Sequence, residues 1–149
     1  MSSVFPVANV LIDEAHKAKR DITPLQLMKL AYIAYGFHLG FGLGRLFEDE
    51  IQAWRYGPVI PALYHRTKYY GRDPIPRRIS HQAPPLDEGT VEFVQSAYTA
   101  YGEYSGVQLS VLTHKEGTPW QKVFEPGIRG IVIPDEVIKN YYETLIPDS

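Results

Sequence analysis

The feature that most constrains this chain is the run that begins at Thr23, TPLQLMKLAYIAYGFHLGF, in which nearly every side chain is apolar. Thr23 is a good N-cap, Pro24 suits the first helical position and Gln26 completes a T-x-x-Q capping box. The polar side chains of the run are Gln26, Lys29 and His38. Because a helix that is apolar on all sides needs other elements packed around it, we predict a buried central helix over residues 24–41.

A membrane span is the competing interpretation of so apolar a run. A transmembrane helix requires about 20 apolar residues, whereas Lys29 and His38 fall within a run of about 17. The N-terminal sequence MSSVFPVANV also lacks the basic region and the apolar stretch of a signal peptide. We therefore expect a cytoplasmic protein that does not associate with membranes.

Apolar spacing and turn chemistry predict the other elements. Further helices are expected at residues 7–19, 62–70, 88–103, 105–114, 118–123 and 134–145. A small hairpin is predicted between Leu46-Phe47 and residues 51–54, and a brief extended piece at residues 131–133. Residues 73–87 contain four prolines and are predicted to be a functional or mobile loop. The expected fold is mainly α, a single domain over residues 1–149 with about seven helices.

The sequence contains no constellation that is typical of catalysis. No two of its five histidines have the i, i+4 spacing of an H-E-x-x-H metal site, and it has no G-x-S-x-G nucleophile elbow. Gly40-x-Gly42-x-Gly44 lacks the preceding strand and the spacing of a phosphate-binding loop. The chain has no cysteine, which excludes disulfides and thiolate nucleophiles. We therefore expect no enzymatic activity, no metal site and no cofactor.

Charge is unevenly distributed along the chain. The stretch from Arg55 to Arg78 holds six basic residues and one acidic residue, a net charge of +5 in a chain whose total is −2, which leaves −7 elsewhere. Four tyrosines are interleaved with these charges: Tyr56, Tyr64, Tyr69 and Tyr70. Tyrosine and arginine together are typical of protein interfaces, but aromatic and basic residues also bind single-stranded nucleic acid, and a charged run is often only a solvated face. The candidate partner-binding residues are Arg55, Tyr56, Arg66, Lys68, Tyr69, Arg72, Arg77 and Arg78.

Three motifs carry a resemblance to a known family. They are L-x-K-L-x-Y from Leu27, I-x-A-W-x-x-G-P-V-x-P-x-x-Y from Ile51, and T-H-x-x-x-x-P-W from Thr113. In this order, from about Val7 to Leu145, the chain resembles the Panacea domain, also called SocA-like antitoxins and earlier labelled phage-associated proteins. Met28 is a departure, since the family more often has a polar residue there. The signature residues, which we expect to be mainly structural, are Lys29, Leu30, Tyr32, Trp54, Gly57, Pro58, Val59, Pro61, Tyr64, Thr113, His114, Pro119 and Trp120.

The resemblance implies a mostly helical, non-enzymatic antitoxin of a bacterial or phage toxin–antitoxin pair, which binds its cognate toxin directly and blocks it. Gly57 and Pro58 are expected to form a turn between the hairpin and the helix that follows. Two alternatives stay open: a nucleic-acid-binding transcriptional regulator, for which the total charge is weak support, and an adaptor that delivers a toxin to a protease. A protease and a second copy of the chain are therefore further candidate partners.

Overall fold

Helices account for most of the chain, as the sequence predicted. The computed structural model describes residues 2–147, which form seven α-helices, one 3₁₀ turn and three short strands. The elements in chain order are α1 (Val4–Lys17), α2 (Pro24–Gly40), β1 (Gln52–Trp54), β2 (Gly57–Val59), α3 (Pro61–Thr67), the 3₁₀ turn (Lys68–Tyr70), α4 (Glu88–Tyr101), α5 (Gly106–His114), α6 (Pro119–Val123), β3 (Ile131–Val132) and α7 (Asp135–Thr144). The prediction of a mainly α fold is confirmed.

Helix α2 lies at the centre of the molecule. Its predicted capping box is present, because Thr23 Oγ1 accepts from the Gln26 amide and Gln26 Oε1 accepts from the Thr23 amide. Helices α1, α3, α4, α5 and α7 and strand β2 all pack against it. Eleven of its residues are buried, which confirms the central buried helix that the sequence predicted. Within residues 2–147, no helix has both the length and the apolarity that crossing a bilayer requires.

The small antiparallel sheet has the strand order β2-β1-β3. Gln52 pairs with Val59 and Trp54 with Gly57, so the hairpin turns through residues 55–56. The predicted pairing of Leu46-Phe47 with residues 51–54 is wrong: these two side chains are buried in the core without forming a strand. The predicted extended piece at residues 131–133 is confirmed as β3.

The prediction that Gly57 and Pro58 form a turn is also wrong, since both lie in strand β2. Gly57 has a φ of 123°, which a residue with a side chain rarely adopts, and it occupies the first position after the turn. Proline lacks the amide donor of a strand ladder, but β2 is an edge strand, where a proline is tolerated. Gly57 and Pro58 therefore belong to strand β2 and do not form the connection between β2 and α3.

The proline-rich segment of residues 73–87 is irregular, as predicted, but it is fastened to the core. The Asn9 side chain in α1 donates from Nδ2 to the Ile79 carbonyl at 2.9 Å and accepts from the Ile79 amide at 2.7 Å. The Ile75 amide donates to the Ile22 carbonyl at 2.7 Å. Because Ile75 and Ile79 are also buried, the segment is ordered by contacts within the chain.

Candidate partner-binding surface

The turn of the β1-β2 hairpin presents a cation and an aromatic ring to solvent. Arg55 and Tyr56 form this turn, and Tyr56 is 71% exposed. The Arg55 guanidinium lies 5.3 Å from the centroid of the Tyr56 ring. Nearby, the 3₁₀ turn presents a second pair, in which Lys68 Nζ lies 5.9 Å from the ring of Tyr69, which is 84% exposed. The Arg55–Tyr56 pair has the composition of an interface hot spot.

The hairpin is held in place by residues from three separate segments. Trp120 in α6 donates from Nε1 to the Trp54 carbonyl at 2.5 Å. Lys29 in α2 donates from Nζ to the Pro58 carbonyl at 2.8 Å. Tyr64 in α3 packs edge-to-face on Trp54, with ring centroids 5.0 Å apart. These are residues of the three sequence motifs, so the structure brings the signature residues together around the hairpin.

The remaining signature residues extend this support inward. The Thr113 hydroxyl donates a hydrogen bond to the Leu109 carbonyl within α5. His114, at the end of that helix, packs edge-to-face on Trp120, with ring centroids 5.5 Å apart. The side chains of these residues are arranged by depth. Leu30, Tyr32, Gly57, Pro58, Thr113 and Pro119 are buried, and Val59, Pro61 and His114 are half-buried.

The candidate partner-binding residues fall into two groups in space. Arg66 donates to the Ser80 carbonyl at 2.6 Å and lies 5.2 Å from the Phe5 ring, and Arg78 pairs with Asp13 at 3.0 Å. These two cations therefore engage α1 and the proline-rich segment, whereas Arg72 and Arg77 are exposed. The second group surrounds the hairpin and is called here the hairpin face. It consists of the candidate residues Arg55, Tyr56, Lys68 and Tyr69, together with the signature residue Tyr64.

A groove of about 440 Å³ runs between α2, the hairpin, α3 and the 3₁₀ turn and opens on the hairpin face. Its walls are largely apolar. They include Leu25, Met28, Trp54, Val59 and Tyr64. Three cations also line it: Lys29, Arg55 and Lys68. We call it the Lys29 groove.

Lys29 is the buried cation of that groove. Lys29 is only 2% exposed, and this burial lowers the pKa of its ammonium to about 8. Among residues 2–147, no carboxylate lies within 4.0 Å of it. With that pKa, roughly 90% of the ammonium stays protonated at pH 7. Sequence reasoning did not single out the groove, although one lysine in an otherwise apolar helix was the available signal.

A second and larger groove, of about 970 Å³, lies on the other side of the hairpin. It is bounded by β1 and by residues 124–130, and its lining includes Trp54, Arg55, Ile128 and Arg129. Trp54 and Arg55 therefore separate two concave surfaces. Within the described part of the chain, no three His, Asp or Glu side chains come together as a metal site would require.

The fold and this surface define a small, mainly α domain whose hairpin face is basic and rich in tyrosine. The family model described as "Antitoxin SocA-like, Panacea domain" matches residues 27–121, and the chain belongs to this family. It is 31% identical over 150 residues to the antitoxin SocA of Caulobacter vibrioides (strain NA1000 / CB15N), an alignment that covers 91% of this chain and 80% of that protein. The resemblance seen in the sequence is thereby confirmed. No solved structure matches the chain.

Proposed function

We propose that the protein is a non-catalytic, cytoplasmic antitoxin that neutralises a cognate toxin by direct protein–protein binding, with the hairpin face as the contact surface. Membership of the SocA-like antitoxin family supports a toxin as the partner in general. The location rests on one observation: the family's signature residues converge on the hairpin, whose turn is itself exposed. A fold that fixes an exposed Arg-Tyr turn so firmly suits recognition by a preorganised surface.

The charge of the surface supports an acidic contact region on the toxin. Arg55 and Lys68 are exposed and make no salt bridge within residues 2–147, so both are free to pair across an interface. Exposed tyrosines next to them supply large contact area at a low entropic cost. Such complementarity accelerates encounter as well as stabilising the complex.

Neutralisation is tested by co-expression with the product of the adjacent open reading frame, placed under tight control. The native chain should relieve growth arrest and co-purify with the toxin. The variant Arg55→Glu/Lys68→Glu should fail in both assays while keeping the native circular dichroism spectrum. Lys19→Glu/Lys139→Glu is the matched control, because it has the same change of charge at two exposed positions away from the hairpin face.

Three results would redirect the proposal. Full neutralisation by Arg55→Glu/Lys68→Glu would move the contact surface elsewhere on the chain. Loss of toxin from the cell, measured by immunoblot during co-expression, would indicate delivery to a protease instead of masking. Failure to bind any neighbouring gene product, together with salt-sensitive binding of promoter DNA, would favour the regulator.

A further inference from the structure

We propose that the Lys29 groove is a docking site for an acidic–apolar segment of a protein partner, with an aspartate or glutamate side chain of that segment paired to the Lys29 ammonium. The inference deepens the proposed function, since the partner segment would belong to the toxin. It concerns the chemistry of the groove, which is measurable without the toxin.

The first argument is the unused hydrogen-bonding capacity of Lys29. An ammonium has three donors, and the described residues supply one acceptor, the Pro58 carbonyl at 2.8 Å. A lysine that served only to fasten the hairpin would need no more than one donor, and a neutral side chain would supply it without burying a charge. Burial of an unpaired charge is costly, and a bound carboxylate offsets part of that cost.

The second argument is the sign of the charges that surround the groove. Three of its lining residues are cationic, Lys29, Arg55 and Lys68, and none of the described residues that line it is acidic. A carboxylate in the groove would therefore meet attraction from one buried and two exposed cations. The pairing with Lys29 would form away from bulk water, where a charge-assisted hydrogen bond is stronger than at an exposed site.

The third argument is the apolar wall, which excludes a simple inorganic anion as the intended occupant. Met28, Trp54 and Val59 line the groove alongside the lysine, and Leu25 is 42% exposed at its edge. A small hydrated anion gains nothing from such surfaces, whereas a leucine or phenylalanine side chain next to the acidic residue would bury its apolar area against them. The cavity of about 440 Å³ accommodates both side chains.

The geometry near Gly57 fits a groove of fixed shape. A Cβ atom at Gly57 would lie 2.8 Å from Lys29 Nζ, so the strand approaches the ammonium as closely as a glycine allows. A side chain at this position would collide with the ammonium, so glycine permits the Lys29–Pro58 hydrogen bond. A preorganised cation is what a tightly fitting carboxylate requires.

The proposal is tested by panning a display library of random twelve-residue peptides against the full-length chain. The peptides are tethered through their C-termini, so no free carboxyl terminus is available. Panning should enrich peptides that carry Asp or Glu next to a leucine or an aromatic residue. An enriched peptide, synthesised with an amidated C-terminus, should bind in fluorescence anisotropy and lose at least tenfold in affinity when its acidic residue becomes Gln or Asn. It should lose at least tenfold with Lys29→Met and be unchanged with Lys139→Met, an exposed lysine on α7.

If Lys29→Met does not fold, a second variant, Lys68→Met, still tests the proposal. Lys68→Met changes an exposed cation of the same groove and should weaken the peptide about threefold in the folded protein. The proposal is overturned if no peptide is enriched, if enriched peptides lack acidic residues, or if Lys29→Met binds them as the native chain does. It is also overturned if only peptides with a free terminal carboxylate bind, or if a single-stranded oligonucleotide displaces the peptide at equal concentration.

The two proposals fail separately. Peptide binding without neutralisation would leave the groove chemistry in place and remove the antitoxin function. Neutralisation that persists in a folded Lys29→Met variant would leave the antitoxin function in place and assign toxin contact to the residues of the hairpin face rather than to Lys29.

Discussion

The Trp120 indole donates a hydrogen bond of 2.5 Å to the main-chain carbonyl of Trp54, across 66 residues of sequence. This bond joins α6 to the last residue of β1, immediately before the exposed turn. Trp120 also stacks on Phe124, with ring centroids 4.6 Å apart. One indole thus connects the helical part of the molecule to the candidate partner-binding hairpin.

Replacing Trp120 by Phe should loosen the hairpin while leaving most of the aromatic packing intact. The Trp54 carbonyl would lose its donor, and loss of such a bond is expected to reduce the free energy of unfolding by about 1 kcal/mol. Amide hydrogen exchange should therefore accelerate at residues 55–59 more than in α1. Trp54→Phe is the comparison, because it keeps the main-chain carbonyl that accepts from Trp120 and removes the bond from Trp54 Nε1 to Gln52. Equal exchange in the native and Trp120→Phe chains would contradict this role.

Replacing Asn9 by Ala should release the proline-rich segment from α1. Both hydrogen bonds to Ile79 would be lost, and each buried group left without a partner costs about 1–3 kcal/mol. Trypsin should then cleave after Arg77 or Arg78 at least tenfold faster, because about 1.4 kcal/mol of local destabilisation raises the open population tenfold. Asn140→Ala, on an exposed face of α7, is the control and should leave the cleavage rate unchanged.

Replacing two helical glycines by alanine should change the free energy of unfolding in opposite directions. A Cβ at Gly36 would lie 2.4 Å from the Tyr142 ring, which packs α7 against α2, so Gly36→Ala should destabilise the fold by about 1–3 kcal/mol through overpacking. At Gly89 in α4 the nearest neighbour of a Cβ is Asp87 Oδ1 at 3.6 Å. Gly89→Ala should therefore stabilise the chain by up to about 1 kcal/mol through helix propensity. Urea unfolding of both variants measures the two signs, and a stabilised Gly36→Ala would contradict the packing.

The sequence predicted the starts of α2, α5 and α6 well from their local capping residues. It placed the start of α1 at residue 7, whereas Ser3 caps a helix that begins at Val4. Ser105 and Gln108 form the expected reciprocal capping box at α5. At α6, Thr118 accepts from the Gln121 amide as expected, but Gln121 Oε1 instead accepts from the Gly117 amide at 3.3 Å. Local chemistry therefore located the start of the helix even where its detailed bonding differed.

The hairpin and the groove depend on contacts that no local pattern encodes. Gly57-Pro58 has ordinary turn chemistry, and only its pairing with residues 53–54 makes it a strand. Leu46 and Phe47 were predicted as a strand because they are apolar. Their apolar side chains instead fill the core, without any strand pairing. Similarly, the burial of Lys29 arises from the hairpin that folds over α2. The contacts of Arg66 with Ser80 and of Arg78 with Asp13 also join residues that are distant in sequence.

The burial of Lys29 should be visible in the pH dependence of stability. Its pKa in the folded chain is about 8, below the ordinary value of 10.5, so the unfolded chain binds the proton more tightly. Between these two values the unfolded state carries more protons, and stability contributed by this group therefore rises with pH. The destabilisation that results from burying the Lys29 ammonium is fully present below about pH 8. The free energy of unfolding should rise by about 3 kcal/mol as the pH is raised to 10.5, because the ammonium is then deprotonated.

The difference between the native chain and Lys29→Met isolates this effect. Other titratable groups near the ammonium, His114 on α5 and the tyrosines of the hairpin face, are common to both chains and largely cancel. The unfolding free energy of the native chain should gain on that of the variant between pH 8 and 10, as measured by urea unfolding without added peptide. A saturating acidic–apolar peptide should remove that gain, because a carboxylate beside Lys29 favours the protonated form and raises its pKa. A difference that does not change with pH would mean that the ammonium is solvated, and the argument for a buried, unpaired cation in the groove would fall with it.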